Sequence, residues 1–228
     1  MIEFLLLDLD DTILDFRWAE DQAIRRTFVD FGIDPTDEVV ALYRQINWDH
    51  WHRMELGELD REQVRIGRFA VLFEQLGITG DPLRCADTYV EYLSQGHKFL
   101  PGAEETLKRL AEKYRLFLVT NGNPPVQYGR LASAGISHYF EKIFISYEIG
   151  YNKPSIEFFD SCFSQIPGFY KERAMIVGDS QGSDMQGGTN AGIATCWINP
   201  NHWPRREGVR IDHEIESITQ LDPILNEL

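Results

Sequence analysis

Asp8, Asp10, Asp11 and Thr12 crowd into the segment DLDDT, directly after the apolar run Phe4–Leu7. Further clusters follow apolar runs in the same way. Thr120, Asn121 and Gly122 come after Leu116–Val119, and Ser146, Glu148 and then Lys153-Pro154 after Ile143–Ile145. Gly178, Asp179, Ser180, Ser183 and Asp184 come after Met175–Val177. Two carboxylates about 4 Å apart repel by roughly 4 kcal/mol at an effective dielectric near 20. Several of them cannot share a pocket in ionised form without a cation or large pKa shifts. Aspartate oxygens suit the hard cation Mg²⁺, which also pairs with phosphate. A threonine hydroxyl and the amides of an Asn-Gly turn at a helix start suit a phosphate oxyanion, and a lysine adds the positive charge.

Taken singly, each cluster has a plainer reading. An Asp-rich turn is often a helix N-cap with solvated acids, and Asn-Gly is a common turn pair. Lys153 before Pro154 alone would be a loop charge, and GDSQGSD alone an acidic turn. What separates them from these readings is that all four fall after apolar runs of one alternating pattern.

That pattern defines the elements that must carry them. A short continuous apolar run such as Phe4–Leu7 suits a strand buried on both faces, as in a parallel sheet under helices. Residues 16–97 then change to helical periodicity. Phe16–Gly32 reads as one helix; Thr36 or Asp37 caps a second through Val40, Tyr43 and Ile46. Asp60 caps a third that ends at Gly77, and Asp81-Pro82 starts a fourth that Gly96 stops. After Pro101-Gly102, helices Ala103–Lys113, Val126–Ala134, Ile156–Gln165 and the segment Ser183–Ala191 alternate with Leu116–Val119, Ile143–Ile145, Met175–Val177 and Ala194–Ile198. Such alternation predicts an α/β fold with a parallel sheet. The expected organisation is a Rossmann-like core of residues 1–14 and 98–228, with a helical cap domain, 15–97, inserted after the first strand. Ligands of such sheets bind beyond the carboxyl ends of the strands, where the four clusters lie.

In order and spacing the clusters resemble the motifs of the haloacid dehalogenase superfamily of phosphohydrolases. Residues 8–12 look like its DxDxT nucleophile motif, Thr120 its Ser/Thr motif, Lys153 its lysine motif, and Gly178-Asp179 through Asp184 its acidic GDxxxxD motif. The helical insertion resembles the cap of many members. The chain further resembles a subgroup of bacterial nucleoside 5′-monophosphatases, some acting on pyrimidine and non-standard nucleotides. DLDDTILDF at 8–16, TNG at 120–122, SYEIGYNKP at 146–154, GIATCWIN at 192–199 and cap segment 48–69 carry that likeness.

The resemblance implies hydrolysis of a small phosphorylated metabolite in two steps. Asp8 would attack phosphorus to form an aspartyl-phosphate, which water then hydrolyses. Asp10 would protonate the leaving alcohol and later deprotonate the water. Mg²⁺ would be held by the Asp8 carboxylate, the Asp10 backbone carbonyl and Asp179, with Asp184 in support. Thr120, the Asn121 amide and Lys153 would clamp the phosphate oxygens. Asp10 argues against carbon–halogen chemistry, because dehalogenating members of the family lack an Asp at that position. Phosphoglycolate or sugar-phosphate hydrolysis, phosphotransfer or phosphomutase activity on the same fold, and a binding role without turnover stay open.

Trp48, Trp51, Phe16 and Arg17 would suit contact with a base or sugar, although aromatic residues at helical spacing are core more often than not. Arg53, Arg65 and Arg68 read as solvated or paired. His50 and His52 stand two apart and do not share a helix face. Residues 182–189 miss a P-loop because Gly188 stands where its lysine belongs.

Composition limits the partners. The 228 residues hold 36 acidic and 22 basic side chains, a net charge of −14. Such a surface repels nucleic-acid backbone and anionic membranes, so neither is expected as a partner. No apolar run approaches the ~18 residues of a membrane span, and Phe4–Leu7 is too short for a signal peptide. Three cysteines, widely spaced and without a CxxC pair, fit a reducing compartment, and a cytoplasmic location is expected.

Overall fold

Phe4–Leu7 forms the first strand, β1, with every residue buried. The computed structural model describes residues 1–227, the side chain of Glu55 excepted. Two compact units emerge: Met1–Phe16 with the chain from His97 onward, and Arg17–Gly96.

The second unit carries four helices: α1 (Phe16–Asp30, which starts one residue earlier), α2 (Asp37–Glu55), α3 (Arg61–Leu76) and α4 (Pro82–Gln95). Their ends follow local chemistry. Thr36 caps α2 by accepting from Val39, and Asp81 caps α4. Asp60 and Gln63 form a reciprocal capping box on α3, which Gly77 ends in the left-handed region at φ 64°. Inside, Tyr43 stacks on Phe69 at 5.4 Å and meets Tyr89 at 5.7 Å. Arg68, buried, donates to Asn47 at 2.6 Å, and Asn47 to Glu20 at 2.8 Å.

The first unit alternates as its pattern predicts. Its helices are α5 (Ala103–Ala111), α6 (Pro124–Ala134), α7 (Ser146–Ile149), α8 (Ile156–Phe163), α9 (Gln186–Ala191) and α10 (Leu221–Glu227). Strands β2 (Arg115–Thr120), β3 (Lys142–Ile145), β4 (Ala174–Gly178), β5 (Ala194–Ile198) and β6 (His213–Ile215) join β1 in one sheet of order β3-β2-β1-β4-β5-β6. Every neighbouring pair is parallel. This is the Rossmann-like α/β core, with its helical insertion after β1.

Alternate side chains serve opposite faces of the sheet. Leu5, Leu7, Leu116, Leu118, Met175 and Val177 pack with Leu107, Leu110 and Leu131 of α5 and α6. Phe4, Leu6, Phe117, Val119 and Ile176 pack with Phe158, Phe159 and Cys162 of α8. Both faces are therefore apolar, which is why the strands read as continuous runs. Leu7 is in register with Leu118 and Val177, so the residues just beyond these strands emerge on one edge.

Several details differ from the sequence reading, the short helix α7 among them. α1 stops at Asp30, α5 at Ala111 and α8 at Phe163, each short of the expected end. The segment expected to run helically from Ser183 opens instead as a wider turn, Gln181–Met185, before α9. β6 and α10 were not expected. Among the described residues, no helix is long and apolar enough to cross a membrane.

Candidate active site

Asp8 continues β1 by one residue, its amide donating to the Val177 carbonyl at 3.0 Å. The chain then turns sharply. The amides of Ile13 and Leu14 both reach the Leu9 carbonyl at 3.0 Å, and Asp11 takes a positive φ of 53°. An Asp tolerates that conformation, and its carboxylate accepts from the Phe16 amide at 2.9 Å. The turn leaves Asp8 buried and Asp10 partly open, 28% of its side chain exposed.

Lys153 reaches Asp8 from the loop after α7. Its buried ammonium donates to Asp8 Oδ1 at 2.6 Å, Asp184 Oδ1 at 2.7 Å and the Val119 carbonyl at 2.8 Å, one acceptor for each proton. Asn121 fixes that loop: its side chain donates to the Lys153 carbonyl and accepts from the Lys153 amide, both at 2.9 Å. The Asn121 side chain is thus committed to the loop, which leaves its backbone amide as the group on the rim.

Asp184 sits in the wide turn after β4, where the Ser180 amide donates to its Oδ2 at 3.1 Å. Gly178 makes this possible, since a Cβ there would collide with the Asp184 carboxylate. Asp179 is half-buried, and its carbonyl accepts from the Trp197 indole at 2.8 Å. One carboxylate oxygen from each of Asp8, Asp179 and Asp184 falls within 4.8 Å of the others.

The electrostatics follow from this crowding. Burial pushes the Asp8 carboxyl up to about 7, against the pull of Lys153. Burial, then Asp8 and Asp184, push Asp179 well above the usual carboxylate range. Burial alone would depress the Lys153 ammonium, but Asp184 and Asp8 hold it above its ordinary value. One ammonium cannot neutralise three carboxylates, so the cluster lacks positive charge. An all-oxygen donor set with that deficit fits a hard divalent cation such as Mg²⁺.

Thr120 ends β2, fully buried, and its hydroxyl oxygen accepts from the Gly122 amide at 3.1 Å and from Gln127 Nε2 at 2.8 Å. With both lone pairs engaged, the hydroxyl keeps its proton to donate. Of the two turn amides expected to face phosphate, that of Gly122 is taken by Thr120.

The Asp10 carboxylate is not part of the three-aspartate cluster and is held by two residues of α6. Its Oδ2 accepts from Gln127 Nε2 at 2.8 Å, and its Oδ1 pairs with Arg130 Nη1. Gln127 and Arg130 are contacts the sequence reading missed. The available signal was two polar residues on the same face of α6 as buried Leu131, where an amphipathic helix places core residues.

In the helical unit, Trp48 is 66% exposed and stacked on His52 at 5.1 Å, so it is not the core residue that its spacing suggested. His50 is buried on the Ile46 carbonyl, away from His52. Arg53 pairs with Glu58, and Arg65 with Asp87.

In this parallel sheet a central strand thus delivers a buried carboxylate to a lysine and two further acids. The sequence profile of the haloacid dehalogenase-like hydrolases matches residues 5–198, and the chain belongs to that family. It is 38% identical over 222 residues to the HAD-hydrolase YfnB of Bacillus subtilis, covering 97% of this chain and 94% of that one. A crystal structure of YfnB bound to magnesium superposes with a TM-score of 0.95 over 99% of both chains, at 37% identity. The chain is also 37% identical to the pyrimidine 5′-nucleotidase PynA of Streptococcus pneumoniae (96% of this chain, 93% of the relative). To the pyrimidine 5′-nucleotidase YjjG of Escherichia coli it is 29% identical (98% and 97%). The chain is thus a phosphohydrolase of this family.

Proposed function

We propose that the chain hydrolyses nucleoside 5′-monophosphates, with Mg²⁺ bound, through an aspartyl-phosphate on Asp8. The observation that carries this reading is the buried Asp8 carboxylate, in contact with Lys153 and clustered with Asp179 and Asp184. The pyrimidine nucleotidases among its relatives support the choice of nucleotide.

A carboxylate oxygen of Asp8 forms the new bond to phosphorus as the bond to the nucleoside 5′-oxygen breaks. Asp10 gives that oxygen its proton. In the second step Asp10 takes a proton from water, whose oxygen displaces Asp8 and releases orthophosphate. Thr120 donates a hydrogen bond to one phosphate oxygen and the Asn121 amide to another, while Lys153, whose three protons are taken by Asp8, Asp184 and the Val119 carbonyl, supplies positive charge beside them. Asp8, Asp179, the Asp10 carbonyl and supporting Asp184 would hold Mg²⁺, which screens the repulsion between the nucleophile and the anionic ester. A cytoplasmic setting belongs to this reading too, supported by three free, buried cysteines.

Orthophosphate release from a panel of phosphomonoesters, with and without Mg²⁺, tests the reading. The panel holds UMP, dUMP, TMP, purine monophosphates, phosphoglycolate and hexose phosphates. Release is expected from pyrimidine monophosphates, only with Mg²⁺, and not from Asp8→Asn. Release confined to phosphoglycolate or hexose phosphates would remove the nucleotide assignment. Full activity in Asp8→Asn would overturn the mechanism.

A further inference from the structure

Arg130 has no exposed side-chain surface, and Gln127, one turn earlier on α6, is 1% exposed. A buried guanidinium is costly unless paired and hydrogen-bonded, and here it pairs with Asp10. Gln127 takes the other oxygen of the same carboxylate. Its Nε2 is shared with Thr120 Oγ1, and its Oε1 accepts from Arg130 at 3.4 Å. The guanidinium carbon lies 5.5 Å from the centre of the Phe16 ring. Thr120, Gln127, Asp10 and Arg130 thus form one hydrogen-bonded chain along the rim. Asp10 stands on a turn with part of its side chain open to solvent, where an unsupported carboxylate would sample several rotamers. Two donors from one helix fix it in a single orientation.

We infer that Arg130 and Gln127 are positioning residues that aim the Asp10 carboxyl at the leaving oxygen and tie its placement to that of Thr120. The inference rests on the proton-transfer role given to Asp10 above. Neither residue touches substrate. The effect of Arg130 passes through Asp10, so it scales with how much the leaving group needs a proton, whereas Gln127 acts through both Asp10 and Thr120. Misplacement by about 1 Å can cost a hundredfold in rate.

The test is kcat/KM, which reports the step that expels the leaving group, for aryl phosphates ranging from p-nitrophenyl phosphate to phenyl phosphate. Wild type, Arg130→Met, Arg130→Lys, Gln127→Leu, Asp10→Asn and the Asp10→Asn/Arg130→Met double variant are compared at saturating Mg²⁺, with thermal melts to confirm folding. Arg130→Met is expected to lose about a hundredfold on phenyl phosphate and only a few-fold on p-nitrophenyl phosphate, whose phenolate departs without a proton. Arg130→Lys restores part of the loss. In the Asp10→Asn background, removing Arg130 costs little more, because the two act as one unit. Gln127→Leu gives the same leaving-group dependence on top of a loss common to all esters, which passes through Thr120, and serves if Arg130→Met does not fold. Equal losses on every ester, multiplying with Asp10→Asn, would overturn the inference and leave the phosphatase reading intact. Failure of the wild type to hydrolyse any ester would overturn the phosphatase reading itself.

Discussion

Replacing the hydrogen of Gly178 by a methyl group would drive a Cβ into the Asp184 carboxylate. Asp184 would have to leave Lys153, and the ammonium would lose one of its three acceptors. Gly178→Ala is expected to weaken Mg²⁺ binding and lower kcat by about a hundredfold; calorimetric titration with Mg²⁺ and turnover measure both. Unchanged values would mean that the turn after β4 yields more easily than its contacts imply. At this scale the sequence was most legible where chemistry follows directly on a buried strand. Asp8, Thr120, Lys153, Asp179 and Asp184 are read from their place after apolar runs, and the structure brings them to one edge. Asp10 is read from the same run, but its surroundings are not. Its partners lie more than a hundred residues away on α6, and PPVQYGRLASA, though its periodicity puts Gln127 and Arg130 on the face of Leu131, does not say which carboxylate they meet.

Elements were legible in proportion to how local their causes are. The ends of α3 could be read because Asp60 and Gln63 satisfy each other's backbone amides within one turn. β6 could not, because His213–Ile215 has no apolar run; it pairs with β5 at the sheet edge, and side chains fix the chain just before it. The Asp212 carboxylate accepts from the Thr195 amide at 2.9 Å and from Arg210 at 2.7 and 2.8 Å. Burial works to raise the Asp212 carboxyl, but Arg210 and Thr195 outweigh it and hold it below its ordinary value. Ionised Asp212 therefore contributes its full stabilisation above the ordinary aspartate pKa of about 4 and loses it as pH falls through the depressed native value. Asp212→Asn is expected to cost about 1 kcal/mol at neutral pH and to converge with the wild type in acid. Urea unfolding from neutral to strongly acidic pH measures this, and parallel stability curves for the two proteins would remove the clamp from the account.

At the scale of the whole chain, the net charge is −14, and three of its carboxylates bring oxygens within 4.8 Å of one another beside one lysine. A cation that binds only the folded form stabilises it by mass action. Mg²⁺ at a hundred times its Kd is expected to add about 3 kcal/mol and raise the melting temperature of the sheet-bearing unit by roughly 5–10 °C. Asp179→Asn should remove most of that rise; scanning calorimetry with EDTA and with Mg²⁺ measures it, and an equal rise in the variant would place the ion elsewhere. The composition announced the excess of acid but not its focus, which depends on the parallel order of β3, β2, β1 and β4. That order also makes Lys153 a staple. It follows β3 on one side of β1, yet it grips Asp184, which follows β4 on the other, while Asn121 grips the backbone of Lys153 itself. Residues 121–184 therefore behave as a single inheritable block. In a shuffled gene made with a relative of this chain, a crossover inside that block would draw Lys153 and its partners Asn121 and Asp184 from different parents, whereas a breakpoint after Asp184 would pass them on together with Asp8, and one before Thr120 would part only Asp8 from them.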